Sequence, residues 1–484
     1  MMIMAREVPK RAASWLDALR VASFRAVFVA HVISLSGTLI AQVALSVRIH
    51  ERTGSSFLSA LTFGLGLLPH ALAGALWSRC RLPARRTLIG CELLAGALIA
   101  GMVVPELPVA MLLAATFVAG TFGSLFAVTR AASLPDLVPP GVYPLAHSIL
   151  RMSSNSAQIA SYAFGGFLLT QWSSGTILLF DAATFLLSAI ILCRGLPVAQ
   201  VPAARRPAAS PAIHRGVRQR SIECVRLEPA WCWDRGSERK PAEPARRVRV
   251  ERQGRHSAWR SSPWRRTKAP APPGLSRCRC STARQSSICH VQSTFALGVA
   301  LRTPELRALL LLGWLLPVLC VVPEALAVPY ARQMNGTGWD VGVLLAALPA
   351  GSVVGELWAG RALGERARVA AILPLGLMQL VPLLVYAMAP VVPIAAVALF
   401  VSGLGAGHRL GLDQRVLELT DPQTRGPVLA TATAGLMLAQ GAAFAVAGAL
   451  GDGFTPHGVV AGSAVAGIPC ALLLMVASRP RRSR

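Results

Sequence analysis

Several side chains able to carry a proton or hold a polar ligand stand inside long apolar stretches of this chain: His31, Gln42, Glu92, Asn155, Gln158, Asp181, Glu324, Gln379 and Gln440. An ionisable group in such surroundings is costly to bury and usually faces an internal cavity or a partner, so each is a candidate for binding or proton movement. His31 titrates near neutrality when unperturbed; it can relay a proton, or simply pack with a hydrogen bond. Asp181 and Glu324 lie deepest in their apolar runs and are the candidate proton carriers. Glu92 stands closer to a group of arginines and is expected to pair with them. The amides of Gln42, Asn155, Gln158, Gln379 and Gln440 can grip a polar ligand or pin neighbouring helices together.

Chemistry of other kinds finds no support. The phosphate-cradling pattern G-x-x-x-x-G-K-[ST] is missing, as are a nucleophile elbow and a metal-spaced histidine pair, so neither an enzyme nor a cofactor is expected. Cys80, Cys91, Cys193, Cys320 and Cys470 are scattered through or beside apolar runs, where a thiol acts as a small hydrophobe rather than half of a disulfide.

The elements that must position these groups are apolar runs of about 20 residues, the length a helix needs to cross a bilayer. Six lie near 24–49, 57–77, 87–104, 107–129, 143–169 and 176–193. Six more lie near 306–330, 341–359, 369–389, 391–412, 427–450 and 458–477. The composition agrees: 54% of residues are hydrophobic and only 14% charged, against about a quarter charged in soluble domains. The expected fold is therefore an all-α membrane protein of twelve transmembrane helices.

A repeat divides them. The basic link GALWSRCRLPARR at 74–86 returns as GELWAGRALGER at 355–366, pairing Gly74 with Gly355, Leu76 with Leu357, Trp77 with Trp358 and Arg85 with Arg366. Arg130, Leu134, Asp136 and Gly141 match Arg415, Leu419, Asp421 and Gly426 at nearly the same separation. Two parallel six-helix repeats follow, spanning 1–196 and 297–484.

Net charge is +26, which read alone suggests nucleic acid. Its location argues otherwise, because 205–284 holds 21 Lys/Arg against 6 Asp/Glu. Among the remaining links, arginines alternate: 79–86, 130, 361–368 and 409–425 share one side with the basic tract, leaving Arg48, Arg52 and Arg332 on the other. By the positive-inside bias both termini and the tract are expected to be cytoplasmic in an inner, or plasma, membrane, with residues 1–25 an uncleaved lead. The tract at 197–296 has no apolar run able to span or form a core, and irregular structure is expected there. Trp231, Trp233, Trp259 and Trp264 beside the arginines suit anionic lipid, and inserted or out-of-frame coding sequence would give similar text. Cys278, Cys280, Cys289 and His290 lack the paired spacing of a zinc site.

With these residues in view, the chain resembles the major facilitator superfamily, and within it the exporter branch that includes the enterobactin exporter and transmembrane secretion effectors. The resemblance rests on Ala44-Leu45, Thr53-Gly54-Ser55, the Gly74 link with Arg79, Arg85 and Arg86, the run 134–139, Gly165-Gly166, Gln414, Asp421-Pro422 and Arg425-Gly426. It implies a monomeric secondary transporter that exports a small, partly apolar molecule, drug-, antibiotic- or siderophore-like, by alternating access driven by the proton gradient. It also implies gating roles for Gly74, Ser78, Arg79, Arg85, Arg86, Gly355 and Arg366. Three positions depart from the family pattern: Ser78 and Thr38 replace acidic residues, and Tyr162 replaces the proline of the fifth run. The reading from a different class is a membrane protein without transport whose basic tract recruits lipid or a partner.

Overall fold

The first long helix ends at Gly54, whose φ of 68° places it in the left-handed region that a residue with a Cβ enters at a cost. Its N–H closes the helix on the carbonyl of His50 at 2.8 Å, and the chain reverses into the next crossing. The structure is a computed structural model that describes residues 15–77, 83–139, 142–197, 303–421 and 424–478.

In the N-terminal half a short α1 (Trp15–Arg20) leads into α2 (Ala22–Thr53), α3 (Ser56–Trp77), α4 (Ala84–Gly101), α5 (Val109–Leu137), α6 (Tyr143–Gln171) and α7 (Ser174–Gly195). The C-terminal half holds α8 (Pro304–Ala325), short α9 (Ala327–Gln333), α10 (Gly338–Ala362), short α11 (Glu365–Ala370) and α12 (Ile372–Leu380). The last continues as a 3-10 helix, Val381–Met388. Then come α13 (Val392–Leu404), a 3-10 turn Gly405–Gly407, α14 (His408–Glu418), α15 (Arg425–Gly453) and α16 (Pro456–Ala477).

Local chemistry sets several of these boundaries. Ser173 caps α7 by accepting from the Thr176 N–H at 3.2 Å. Thr337 and Asp340 form a reciprocal capping box at α10, with the Asp340 Oδ2 accepting from the Thr337 N–H at 2.7 Å. Pro304 and Pro456 open α8 and α16, where a missing N–H costs nothing.

The protein crosses the membrane twelve times. Among the described residues, eight segments are long and apolar enough by length and composition: α2, α5, α7, α8, α10, α13 with α14, α15 and α16. Shorter apolar stretches in α3 (Ser56–Ala71) and α12 with its 3-10 extension (Ile372–Met388) make two more. The remaining two, α4 and α6, carry Arg85, Arg86 and Glu92, and Arg151, Asn155 and Gln158, which lowers their hydropathy. Large apolar side chains turn outward, with Leu93, Leu94, Leu186, Leu187, Val397 and Leu473 all exposed, while Glu92 and Asp181 turn inward. That is the distribution a hydrocarbon solvent selects.

The repeat is visible in the packing. Helix α3 packs along α15, and α6 along α10, so exchanging the halves turns one pairing into the other. Small residues permit both approaches. A Cβ on Gly342 would stand 2.7 Å from the Cα of Gly166 and 2.7 Å from the Tyr162 carbonyl oxygen. One on Gly64 would stand 3.0 Å from the Gly441 carbonyl oxygen.

The halves also meet through polar contacts at the Gly54 end. Glu51 pairs with Arg332, and the Asp452 carboxylate accepts from the Ser55 hydroxyl at 2.8 Å and the Ser56 N–H at 2.5 Å. An acidic side chain from one half thus caps the N-terminus of α3 in the other. At the same end Arg48 and Arg52 clamp the α4–α5 link, donating to Met102, Val104 and Leu107 carbonyls at 2.7 to 2.9 Å.

Four expectations change. Arg130, assigned to a link, lies inside α5, which continues to Leu137. The seventh run breaks at Leu326, between α8 and α9. The tenth is interrupted at Gly405–Gly407; there Gly405 and Gly407 press against α12 and α10, where a Cβ would strike backbone. The second basic link is mostly helix, since only Leu363 and Gly364 separate α10 from α11. Residues 78–82, Gly141 and the tract at 197–296, apart from Pro197, fall outside the described residues.

Candidate functional site

A cavity of about 360 Å³ lies between the halves. Helix α6 contributes Asn155, Gln158 and Tyr162, at i, i+3 and i+7 and therefore on one face, and α2 contributes Gln42. The opposite wall supplies Glu324 from α8, Glu356 from α10, Arg409 from α14 and Gln440 from α15. The Tyr162 hydroxyl donates to Glu324 Oε1 at 2.8 Å, joining the halves across the cavity. Arg409 Nη1 lies 3.7 Å from Glu356 Oε1, a loose pair that largely balances its own charge. Phe63 and Phe444 stack at 5.4 Å and form an apolar side of the same space. A void of this size, with polar and apolar surface in similar shares, several converging amides, one loose ion pair and one tyrosine-bound carboxyl, can enclose a small amphipathic molecule.

A second pocket of about 330 Å³ lies within the N-terminal half, among α2, α3, α4, α5 and α7. It receives His31, Glu92 and Asp181, and it shares Gln42 with the central cavity. His31 Nε2 lies 3.1 Å from Ser154 Oγ, and its ring stacks on Phe126 at 6.4 Å. The Thr184 hydroxyl stands 3.1 Å from Asp181 Oδ1 and donates to the Asp181 carbonyl at 2.8 Å. Gly37 lets α2 pass close by: a Cβ there would collide with both Thr184 and Asp181.

The sequence-derived candidates therefore separate into three groups. Gln42, Asn155, Gln158 and Glu324 converge on the central cavity, whereas His31 and Asp181 belong to the N-terminal pocket. The described link candidates line neither. Arg85 caps α7, its guanidinium donating to the carbonyls of Cys193 at 2.8 Å and Leu196 at 3.1 Å. Gly74 lies within α3; Arg86 and Arg366 are exposed near helix starts. Gly355 is where α10 meets the Leu404 backbone. Ser78 and Arg79 are outside the described residues.

The expected pairing of Glu92 with the arginines of the link is not made with Arg85 or Arg86, while Arg79 and Arg81 lie outside the described residues. The Glu92 side chain is 3% exposed, points into the N-terminal pocket with Ser34 and Ser188 beside it, and makes no ion pair among the described residues. The signal was available in the spacing of Leu88, Cys91, Glu92, Ala95 and Ile99, one buried stripe opposite Leu93 and Leu94. Arg409 was missed as a cavity residue because an arginine near a segment end reads as a link, and Glu356 because its place next to Gly355 in the second link reads as structural. Tyr162 could have been found from its register with Asn155 and Gln158.

Two parallel six-helix halves, exchanged by a pseudo-two-fold axis and enclosing a cavity between them, make up a membrane transporter of the parallel-repeat class. The model of the Major Facilitator Superfamily matches residues 27–408, and the chain belongs to that family. Solved structures share the fold at low identity. The nucleoside transporter NupG aligns with a TM-score of 0.60 at 10% identity, covering 96% of this chain and 100% of that one. The peptide transporter POT gives 0.60 at 11% identity, covering 96% and 98%. A bacterial homologue of the iron transporter ferroportin, in an inward-facing state, gives 0.60 at 13% identity, covering 96% and 99%. No curated protein matches the chain in sequence.

Proposed function

We propose that this transporter exports a small, partly apolar molecule through the central cavity by alternating access, driven by the proton gradient. The observation that carries the reading is the cavity wall. Amides from both halves, Gln42, Asn155, Gln158 and Gln440, surround a space whose remaining surface is largely aliphatic and aromatic, and whose charges are few and mostly matched. Such a wall offers orientation without demanding a fixed charge, which suits drug-, antibiotic- or siderophore-like molecules better than a small ion.

The arginine asymmetry supports an inner-membrane orientation with both termini cytoplasmic. In that orientation the contacts of Glu51, Arg332 and Asp452 close the outer side, and the cavity is loaded from within. Gly166, Gly338 and Gly342 form the crossing that must separate for release.

The test is accumulation of fluorescent amphipathic dyes in cells with and without the chain, with the proton gradient collapsed as control. Lower accumulation that depends on the chain and on the gradient is expected. Equal accumulation across a broad panel would refute export of this substrate class.

A further inference from the structure

We propose that the pocket inside the N-terminal half is a proton site, separate from the central cavity, in which Glu92 and Asp181 share one exchangeable proton. Both carboxyls line this pocket, Glu92 from α4 and Asp181 from α7, with exposures of 3% and 0%. Each leaves an oxygen, Glu92 Oε2 and Asp181 Oδ2, with no hydrogen-bond partner among the described residues. Helices α4 and α7, which carry them, pack against one another.

Among the described residues, no lysine or arginine lines this pocket. The titratable groups facing the pair are His31 on α2, His70 on α3 and Cys91 on α4; from α5 only Arg130 acts nearby, and it acts on His31. The ion pairs of the described residues involve neither carboxyl. Two carboxylates in one apolar pocket repel, and protonating either of them removes that cost. The step is a plain association: one carboxylate and one proton give a carboxylic acid, and the reverse releases it.

A metal ion fits poorly. No cluster of three or more metal-ligating side chains occurs among the described residues, whereas hard cations want six or more oxygens. Phe122, Phe126 and Phe185 wall the pocket and offer no such donors. Gln42 is the polar residue common to this pocket and the central cavity.

The meaning of this site for transport rests on the proton-coupled reading above, but its test does not. Infrared difference spectra of the full chain in lipid nanodiscs, recorded across pH in H₂O and D₂O, report the C=O stretch of protonated carboxyl groups directly. Glu324→Gln identifies the contribution of the central-cavity carboxyl. Of the remainder, a band that shifts in D₂O is expected to change in Glu92→Gln and in Asp181→Asn and to vanish in the double variant. Replacing choline by sodium is expected to leave it unchanged.

A band that survives the double substitution would overturn the proposal, and so would one that sodium bleaches, which would make this a sodium site. Should Asp181→Asn fail to fold, judged by thermal melting, the comparison of Glu92→Gln with Glu92→Asp carries the same test. Loss of dye export with the bands intact would count against the export reading alone.

Discussion

Replacing Gly342 by alanine tests whether the α6–α10 crossing holds the halves together. The added Cβ would lie 2.7 Å from Gly166 Cα and 2.7 Å from the Tyr162 carbonyl oxygen. Both obstacles are backbone, so no rotamer change relieves the clash, and the two helices must separate. Overpacking of this kind costs about 1–3 kcal/mol. Because the contact exists only while this end is closed, the cost falls on the closed state and shifts the closed-to-open ratio by about 5- to 150-fold. Hydrogen exchange by mass spectrometry in nanodiscs reads this as faster exchange at 338–345 and, more tellingly, at the distant 55–60, where Asp452 caps α3. Peptides of α2 and α7 in the N-terminal half should keep their protection. Gly462→Ala is the control, since a Cβ there meets nothing within 4 Å. If Gly342→Ala exchanges like Gly462→Ala at 55–60, the crossing is not what closes this end.

Other perturbations have separate readouts. Arg85→Ala removes the donors that satisfy the last carbonyls of α7 and should lower stability by about 1–2 kcal/mol, seen as a reduced melting temperature that Arg85→Lys only partly restores. Tyr162→Phe deletes the hydroxyl that bridges to Glu324; a loss of about 1–3 kcal/mol of closed-state stability should raise exchange at 338–345 without changing secondary structure. Reporter fusions after Arg52, Arg332 and Gly453 should read outside, and fusions after Arg86, Arg366 and Arg425 inside. A cytoplasmic reading at Arg332 would reverse the second half of the topology.

The number of crossings and their division into halves were legible in the chain because a bilayer imposes a length on apolar runs and arginines mark the links. What the links hid was helix phase. Glu92 and Leu93 are neighbours in sequence, yet one is buried beside Asp181 and the other faces lipid, a distinction set by 100° of rotation. Arginine also misled as a marker. Arg130 and Arg409 both sit within helices, Arg409 beside Glu356, which a pattern of link residues does not reveal. The two cavities divide the candidates in a way that depends on helix order in space: Asp181 and Glu324, alike in sequence depth, lie in different pockets. Only the convergence of α2, α4 and α7 separates them.

The central claim, that a small molecule moves through the cavity between the halves, is tested most directly by filling that cavity. Gln158→Trp adds an indole to a wall enclosing about 360 Å³ and leaves the contacts at the Gly54 end untouched. Purified chain reconstituted in liposomes with an imposed pH gradient should move an amphipathic fluorescent dye. The movement should disappear in Gln158→Trp and when the gradient is dissipated, while melting temperature stays near that of the unaltered chain. Dye movement that is identical in the plugged and unaltered proteins would contradict the account.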